Sequence, residues 1–80
     1  MTAKEMFKKL GYIIRTDNSF ELLYIKYMNS ATFVKSIEFD KDCKRVIAYQ
    51  IFCDDSRIPI HITVNEMTAI NAQMQELGWI

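Results

Sequence analysis

Within FCDDSRIPIH, residues 52–61, stand a cysteine, two aspartates and the chain's single histidine, residue types from which a metal site or a nucleophilic dyad is built. A centre made of Cys53, Asp54, Asp55 and His61 would need these groups to converge on one ion at about 2.0 to 2.3 Å. The local pattern opposes that. In IPIHITV apolar and polar residues alternate, which sends His61 to the side opposite Ile60 and Ile62, while Cys53 falls among the apolar residues of its own run. Asp54 and Asp55 stand where aspartate commonly makes a turn by hydrogen-bonding nearby backbone. Cys43 adds nothing to the ligand set, because an intervening strand of about nine residues would hold it roughly 30 Å from Cys53.

Other chemistry fares no better. A Cys53/His61 dyad has no third residue to orient the histidine, and an 80-residue chain has little volume for a pocket. The acid pairs Asp40 with Asp42 and Asp54 with Asp55 read as turn residues flanking strands. The only glycines, Gly11 and Gly78, both read as helix stops, so there is no glycine-rich phosphate loop. No catalytic, cofactor-binding or metal-ligating residue is assigned. The expectation is a protein that is not an enzyme and needs no cofactor; a small enzyme or metal-binding protein using Cys53 and His61 is the alternative weighed against it.

The elements that would position these residues follow from periodicity. In MTAKEMFKKLGYI, Thr2 and Glu5 have capping-box spacing, and Met6, Phe7 and Leu10 lie three and four apart, predicting a short helix that Gly11 ends. With Gly11 in the left-handed conformation, Tyr12 packs back on Phe7. The same grammar recurs in TVNEMTAINAQMQELGWI. There Asn65 or Thr63 caps a helix over 65–77, Met67, Ile70, Met74 and Leu77 form its apolar stripe, Gly78 stops it, and Trp79 folds back on Met74. Upstream of KLGYI and ELGWI the two segments do not align, so this is not an internal repeat.

Between the helices lie β-prone runs too closely spaced for helical crossovers, which predicts antiparallel meander connections. They are Tyr12 to Arg15, then FELLYIKY at 20–27 with apolar groups on both faces, after a TDNS turn at 16–19 and before a break at MNSA, 28–31. FVKSIEF at 33–39 places Phe33, Ile37 and Phe39 on one face, with Lys35 among them, and Val34, Ser36 and Glu38 on the other. After the turn DKDCK, RVIAYQIFC at 45–53 sets Ile47, Tyr49, Ile51 and Cys53 together, and IPIHITV follows DDSR. Pro59 cannot donate to a ladder, which places that last strand at an edge. The fold class expected is α+β: a short N-terminal helix, an antiparallel sheet of three to five strands, and a long C-terminal helix across one face. Met67, Ile70, Met74 and Leu77 are expected to meet Ile37, Phe39, Ile47 and Ile51 there.

Eighty residues, half of them apolar and a quarter charged, suit a single domain over 1–80 of modest stability. Ten basic and ten acidic residues cancel, so the long-range field that draws in a phosphate backbone is missing, although Lys4, Lys8 and Lys9 share one segment. Two cysteines make no disulfide framework, no leader pattern is present, and no apolar run approaches the roughly 20 residues needed to span a bilayer. These features point to free thiols in a cytoplasm. Phe20, Tyr24, Tyr27, Tyr49 and Phe52 could stack bases, but rings in strands of so small a domain are core material first, and no arginines interleave with them.

Taken in order, EMFKKLGYI, FVKSIEFDKDCKRVIAY and EMTAINAQMQELGWI resemble the small uncharacterised proteins found in phages and prophages of Gram-positive bacteria. IFCDDSRIPIHI departs from that pattern. The resemblance implies an α+β domain in a bacterial cytoplasm and brings no catalytic residues with it. Proteins of that kind act more often by touching another protein than by chemistry. The expectation is therefore a protein-binding accessory module, pairing with itself as a homodimer or docking on a host or phage protein, with Tyr24, Tyr27 and Trp79 as candidate contact residues. A nucleic-acid-binding module is the competing reading.

Overall fold

A computed structural model describes residues 1–28 and 33–80; of the break expected at 28–31, only Met28 lies within them. Thr2 opens helix α1 (Ala3–Lys9) with a full capping box, its hydroxyl accepting from the Glu5 amide while Glu5 accepts from the Thr2 amide. Gly11, at φ 94°, turns the chain out, and the Tyr12 amide donates to the Phe7 carbonyl at 2.9 Å. Five strands follow: β1 (Ile13–Asp17), β2 (Glu21–Tyr27), β3 (Phe33–Asp40), β4 (Arg45–Phe52) and β5 (Arg57–Pro59). They pair antiparallel in the order β1-β2-β3-β4-β5, a meander without crossovers. Helix α2 (Val64–Glu76) closes the chain; its cap is Thr63, in a second capping box with Glu66, and it ends at Gly78, φ 76°. There the Trp79 amide donates to the Met74 carbonyl.

The register separates the sheet's two faces, because residues directly paired across antiparallel strands point the same way. One face carries the rows Ile14–Tyr24–Ile37–Ala48 and Leu22–Phe39–Val46. Both helices lie on this side, where Phe7, Tyr12, Ala69 and Ile70 join Leu22, Tyr24, Ile37 and Phe39 in the core. The Phe7 ring stacks on Tyr24 at 4.0 Å between centroids and meets Tyr12 and Phe39 edge-on. The other face carries Thr16–Leu23–Glu38–Ile47, Ile13–Ile25–Ser36–Tyr49–Pro59 and Tyr27–Val34–Ile51–Arg57, and neither helix touches it.

Several expected placements are corrected. Met67 is 53% exposed, because the inward face of α2 is Glu66, Ala69, Ile70 and Gln73, with Met74 and Leu77 at its margin. The polar members belong there for a physical reason: Glu66 accepts the Tyr12 hydroxyl at 2.5 Å and Gln73 accepts the Tyr24 hydroxyl at 2.7 Å. Two buried phenols thereby keep their hydrogen bonds, and the helix is turned by about one position from its apolar stripe. Ile47 and Ile51 share a face as expected, but it is the face away from the helices; Val46 and Ala48 are the β4 residues that meet them. The IPIHITV run supplies strand only at Ile58 and Pro59, and Val64 begins α2 instead of continuing an alternation. β1 reaches Asp17, moving the turn to Asn18, Ser19 and Phe20. Cys53 lies beyond β4 and is exposed. No described helix is long and apolar enough to cross a membrane.

Candidate protein-contact surface

The helix-free face is built by β2, β3 and β4 as its floor and by the two edge strands as its rim. Leu23, Ile25 and Tyr49 are buried at its centre, yet no helix covers them. Their cover comes from the sheet's own curvature. Arg15 from β1 and Asp55 and Arg57 from the opposite edge line a common cleft of about 350 Å³ together with Glu38 and Tyr49, so the edges curl toward each other over the floor. A bulge between Ile14 and Thr16 makes Arg15 the extra residue of β1, the local irregularity that re-aims a side chain at a sheet edge. Asp55 is held at φ 67° in the β4–β5 turn, where Asp54 accepts from the Ser56 amide at 3.0 Å and from its hydroxyl at 2.6 Å.

The electrostatics of this cleft are unusual in what they leave open. Tyr49 donates to Glu38 Oε1 at 3.0 Å, and the Arg57 guanidinium sits 5.0 Å from the Tyr49 ring centroid. Stacking holds a guanidinium in place while leaving its N–H groups free. Burial, reinforced by the bond to Glu38, pushes the Tyr49 phenol up to about 12, so it stays a protonated donor at neutral pH. Arg15 and Arg57 make no ion pair or hydrogen bond among the described residues, and neither do the carboxylates of Glu21 and Asp55. By contrast, Lys35, Lys41 and Arg45 are each paired with a carboxylate. Ser36, fully buried between Ile25 and Tyr49, has a hydroxyl with no partner among the described residues.

The expected contact residues divide. Tyr24 is internal, its ring on Phe7 and its hydroxyl on Gln73, and is unavailable to a partner. Tyr27, 70% exposed, stands on the helix-free face beside Val34. Trp79 is half-buried against Phe39 on the helix side and serves the C-terminal cap. Of the rings weighed for base stacking, Phe20 projects from the β1–β2 turn, Tyr49 is buried, and Phe52 packs on Phe33. Arg15, Arg57 and Asp55 were not singled out by sequence reasoning. Only the register and curvature bring them together, and no local spacing signals it.

The residues of the opening motif do not converge on a site. Asp54 closes a turn, Cys53 and His61 are exposed at opposite ends of the β5 segment, and the described residues contain no group of three or more metal-ligating side chains. Asp40 plays the same turn role, accepting from the amides of Asp42 and Cys43 and from Arg45 Nε. These bonds, the Cys43 amide foremost, hold the Asp40 carboxyl below the usual range. Comparison with protein-family models, with curated proteins and with solved structures finds no match.

Proposed function

We propose that this chain is a non-catalytic protein-binding module of the accessory kind carried by phages and prophages, acting in a cytoplasm through the helix-free face of its sheet. One observation supports the reading: Tyr27, Val34, Ile47 and Ile51 lie on a sheet face that no helix covers, with Arg15 and Arg57 at its rim making no ion pair among the described residues. Apolar surface bordered by arginine and aromatic side chains is the composition of contact surfaces. Chemistry has no comparable support: the polar groups of the cleft are a hydrogen-bonded Tyr49–Glu38 pair, the Thr16 hydroxyl and the charges of Arg15, Glu21, Asp55 and Arg57, and no hydrogen bond among the described residues joins the Thr16 hydroxyl to a base.

The test is affinity capture from a bacterial host lysate with the wild-type chain and with Tyr27→Lys. Tyr27 is exposed, so the variant keeps the fold, which circular dichroism checks. Partner capture lost on Tyr27→Lys supports the reading. Undiminished capture would move the contact elsewhere, and retention of RNA or DNA at moderate salt without any protein would favour the nucleic-acid alternative.

A further inference from the structure

We infer that the outer edge of β1 takes a short, extended acidic peptide as an added strand, held by main-chain hydrogen bonds and by Lys4 and Lys8 of α1. This site is separate from the helix-free face and does not rest on the reading of that face. An edge strand turns the N–H and C=O groups of alternate residues away from its sheet, where another chain can pair with them. The two edges of this sheet differ. β5 is three residues long and ends in Pro59, whose nitrogen has no hydrogen to donate. β1 has five residues and no proline, and no strand pairs with its outer side among the described residues. Its bulge falls after Ile14, so Ile13 and Ile14 stay in unbroken register with Ile25 and Tyr24. Ile13 is exposed there.

Beside this stretch, Tyr12, Ile13, Ile14 and Tyr24 line a slot of about 230 Å³ together with Lys4 and Lys8. That is below the roughly 300 Å³ at which pockets for drug-sized molecules begin, and it suits one apolar side chain. Both phenols of the slot are already committed, to Glu66 and Gln73. Charge then selects the occupant. No carboxylate lines the slot, and Lys4 and Lys8 make no ion pair among the described residues. Lys26, 5.8 Å from the Tyr12 ring centroid, adds a third cation. The carboxylates of the neighbouring helices are engaged elsewhere: Glu5 accepts from Thr2, Glu76 from the Ala3 amide, and Glu66 from Tyr12 and Lys35. A second copy pairing edge to edge would bring the same lysines together, so charge opposes it. A nucleic acid would meet the lysines but has no peptide main chain to pair with β1. In an added strand, residues two apart share a face and stand about 6.7 Å from each other. Lys4 and Lys8 are one helical turn apart, about 6 Å along α1. An apolar residue facing the slot therefore has its neighbours on that face within reach of the lysines, and acidic residues fit there.

The probe is a fluorescent peptide with one leucine, glutamate two positions to either side of it and threonine between. Fluorescence anisotropy at about 25 mM salt is expected to show saturable binding to the full chain, tighter than about 1 mM. Lys4→Glu with Lys8→Glu changes two exposed positions, and thermal melting verifies that the variant folds. It is expected to weaken binding at least about tenfold, and to bind instead a peptide carrying lysine in place of glutamate. Should that chain melt early, Lys4→Gln with Lys8→Gln reads the same loss. Methylating the peptide's backbone nitrogens at one set of alternate residues is expected to abolish binding, and methylating the other set to leave it. Tyr27→Ala, on the helix-free face, is expected to change nothing. The inference is overturned by a probe that does not saturate, by binding indifferent to charge reversal, or by equal effects of the two methylated peptides. An oligothymidylate that displaces the probe at lower concentration than unlabelled peptide would overturn it in favour of a nucleic acid. Binding lost in Tyr27→Ala but kept in the lysine variants would overturn it and return the contact to the helix-free face.

Discussion

On the helix-covered face, Tyr12 and Tyr24 bury their rings and hand their hydroxyls to Glu66 and Gln73 of α2. On the opposite face Tyr49 also buries its ring, but its hydroxyl goes to Glu38 on the neighbouring strand, and Arg57 lies over it. Both arrangements satisfy a phenol. They differ in what the bond connects: the first pair ties one layer of the fold to another, whereas the second stays within the sheet. A face whose polar contacts run to another layer is finished by the chain itself. The other has its central residues buried by curvature, and Arg15, Arg57, Glu21 and Asp55 at its rim make no ion pair among the described residues.

The largest expected effect tests this contrast with one matched substitution. Ile37 is buried under the helices and Ile51 is half-exposed on the other face. Ile37→Ala should cost about 2 to 5 kcal/mol in urea unfolding, through lost burial and a cavity that the stacked rings cannot fill. Ile51→Ala should cost roughly 1 kcal/mol at low protein concentration. Equal losses at the two sites would erase the distinction between the faces. A loss at Ile51 that grows with protein concentration would sharpen it, since part of that burial would then come from a second chain.

Next in size is an acid-sensitive link between layers. Glu66 is only 4% exposed, and burial alone would raise its pKa. Hydrogen bonds from the Thr63 amide and the Tyr12 hydroxyl, with Lys35 Nζ at 3.2 Å, outweigh that and hold it at about 2. Its folded value lies below its unfolded value, so the stabilisation is present in full above the ordinary carboxylate range and is lost as pH falls through 4.5 toward 2. The shift corresponds to about 3 kcal/mol. Melting temperature should fall over that window in the wild type and change much less in Glu66→Gln, which should itself be less stable at pH 7. Matching acid limbs would show that other carboxylates dominate.

The smallest effect is expected at Ser36, whose buried hydroxyl has no partner among the described residues. Ser36→Ala removes an unsatisfied group without opening a large cavity, and should be neutral or stabilising by up to about 1 kcal/mol in the same unfolding assay. A clear loss of stability would mean that the hydroxyl is satisfied after all and that this face is better finished than the opposite one is taken to require.

Sequence by itself determined the elements and their ends. Thr2 with Glu5 and Thr63 with Glu66 are capping boxes because the two partners are three residues apart, and Gly11 and Gly78 stop helices because the left-handed conformation there excludes most side chains. Pro59 marked an edge for an equally local reason. Alternation also grouped Ile47 with Tyr49 and Ile51 correctly, but it could not say which group meets the helices. That choice is made by the pairing of Ile37 with Ala48, in which the smaller β4 residues leave room for the Phe7, Tyr24 and Phe39 rings. The rotation of α2 was equally out of reach: Glu66 and Gln73 look like surface residues until two phenols from elsewhere in the chain need acceptors. Arg15 and Asp55 are forty residues apart and meet only because the sheet curls. Interactions between near neighbours can be read along a chain; those made across strands depend on register, twist and unmet hydrogen bonds, and exist only once the layers have come together.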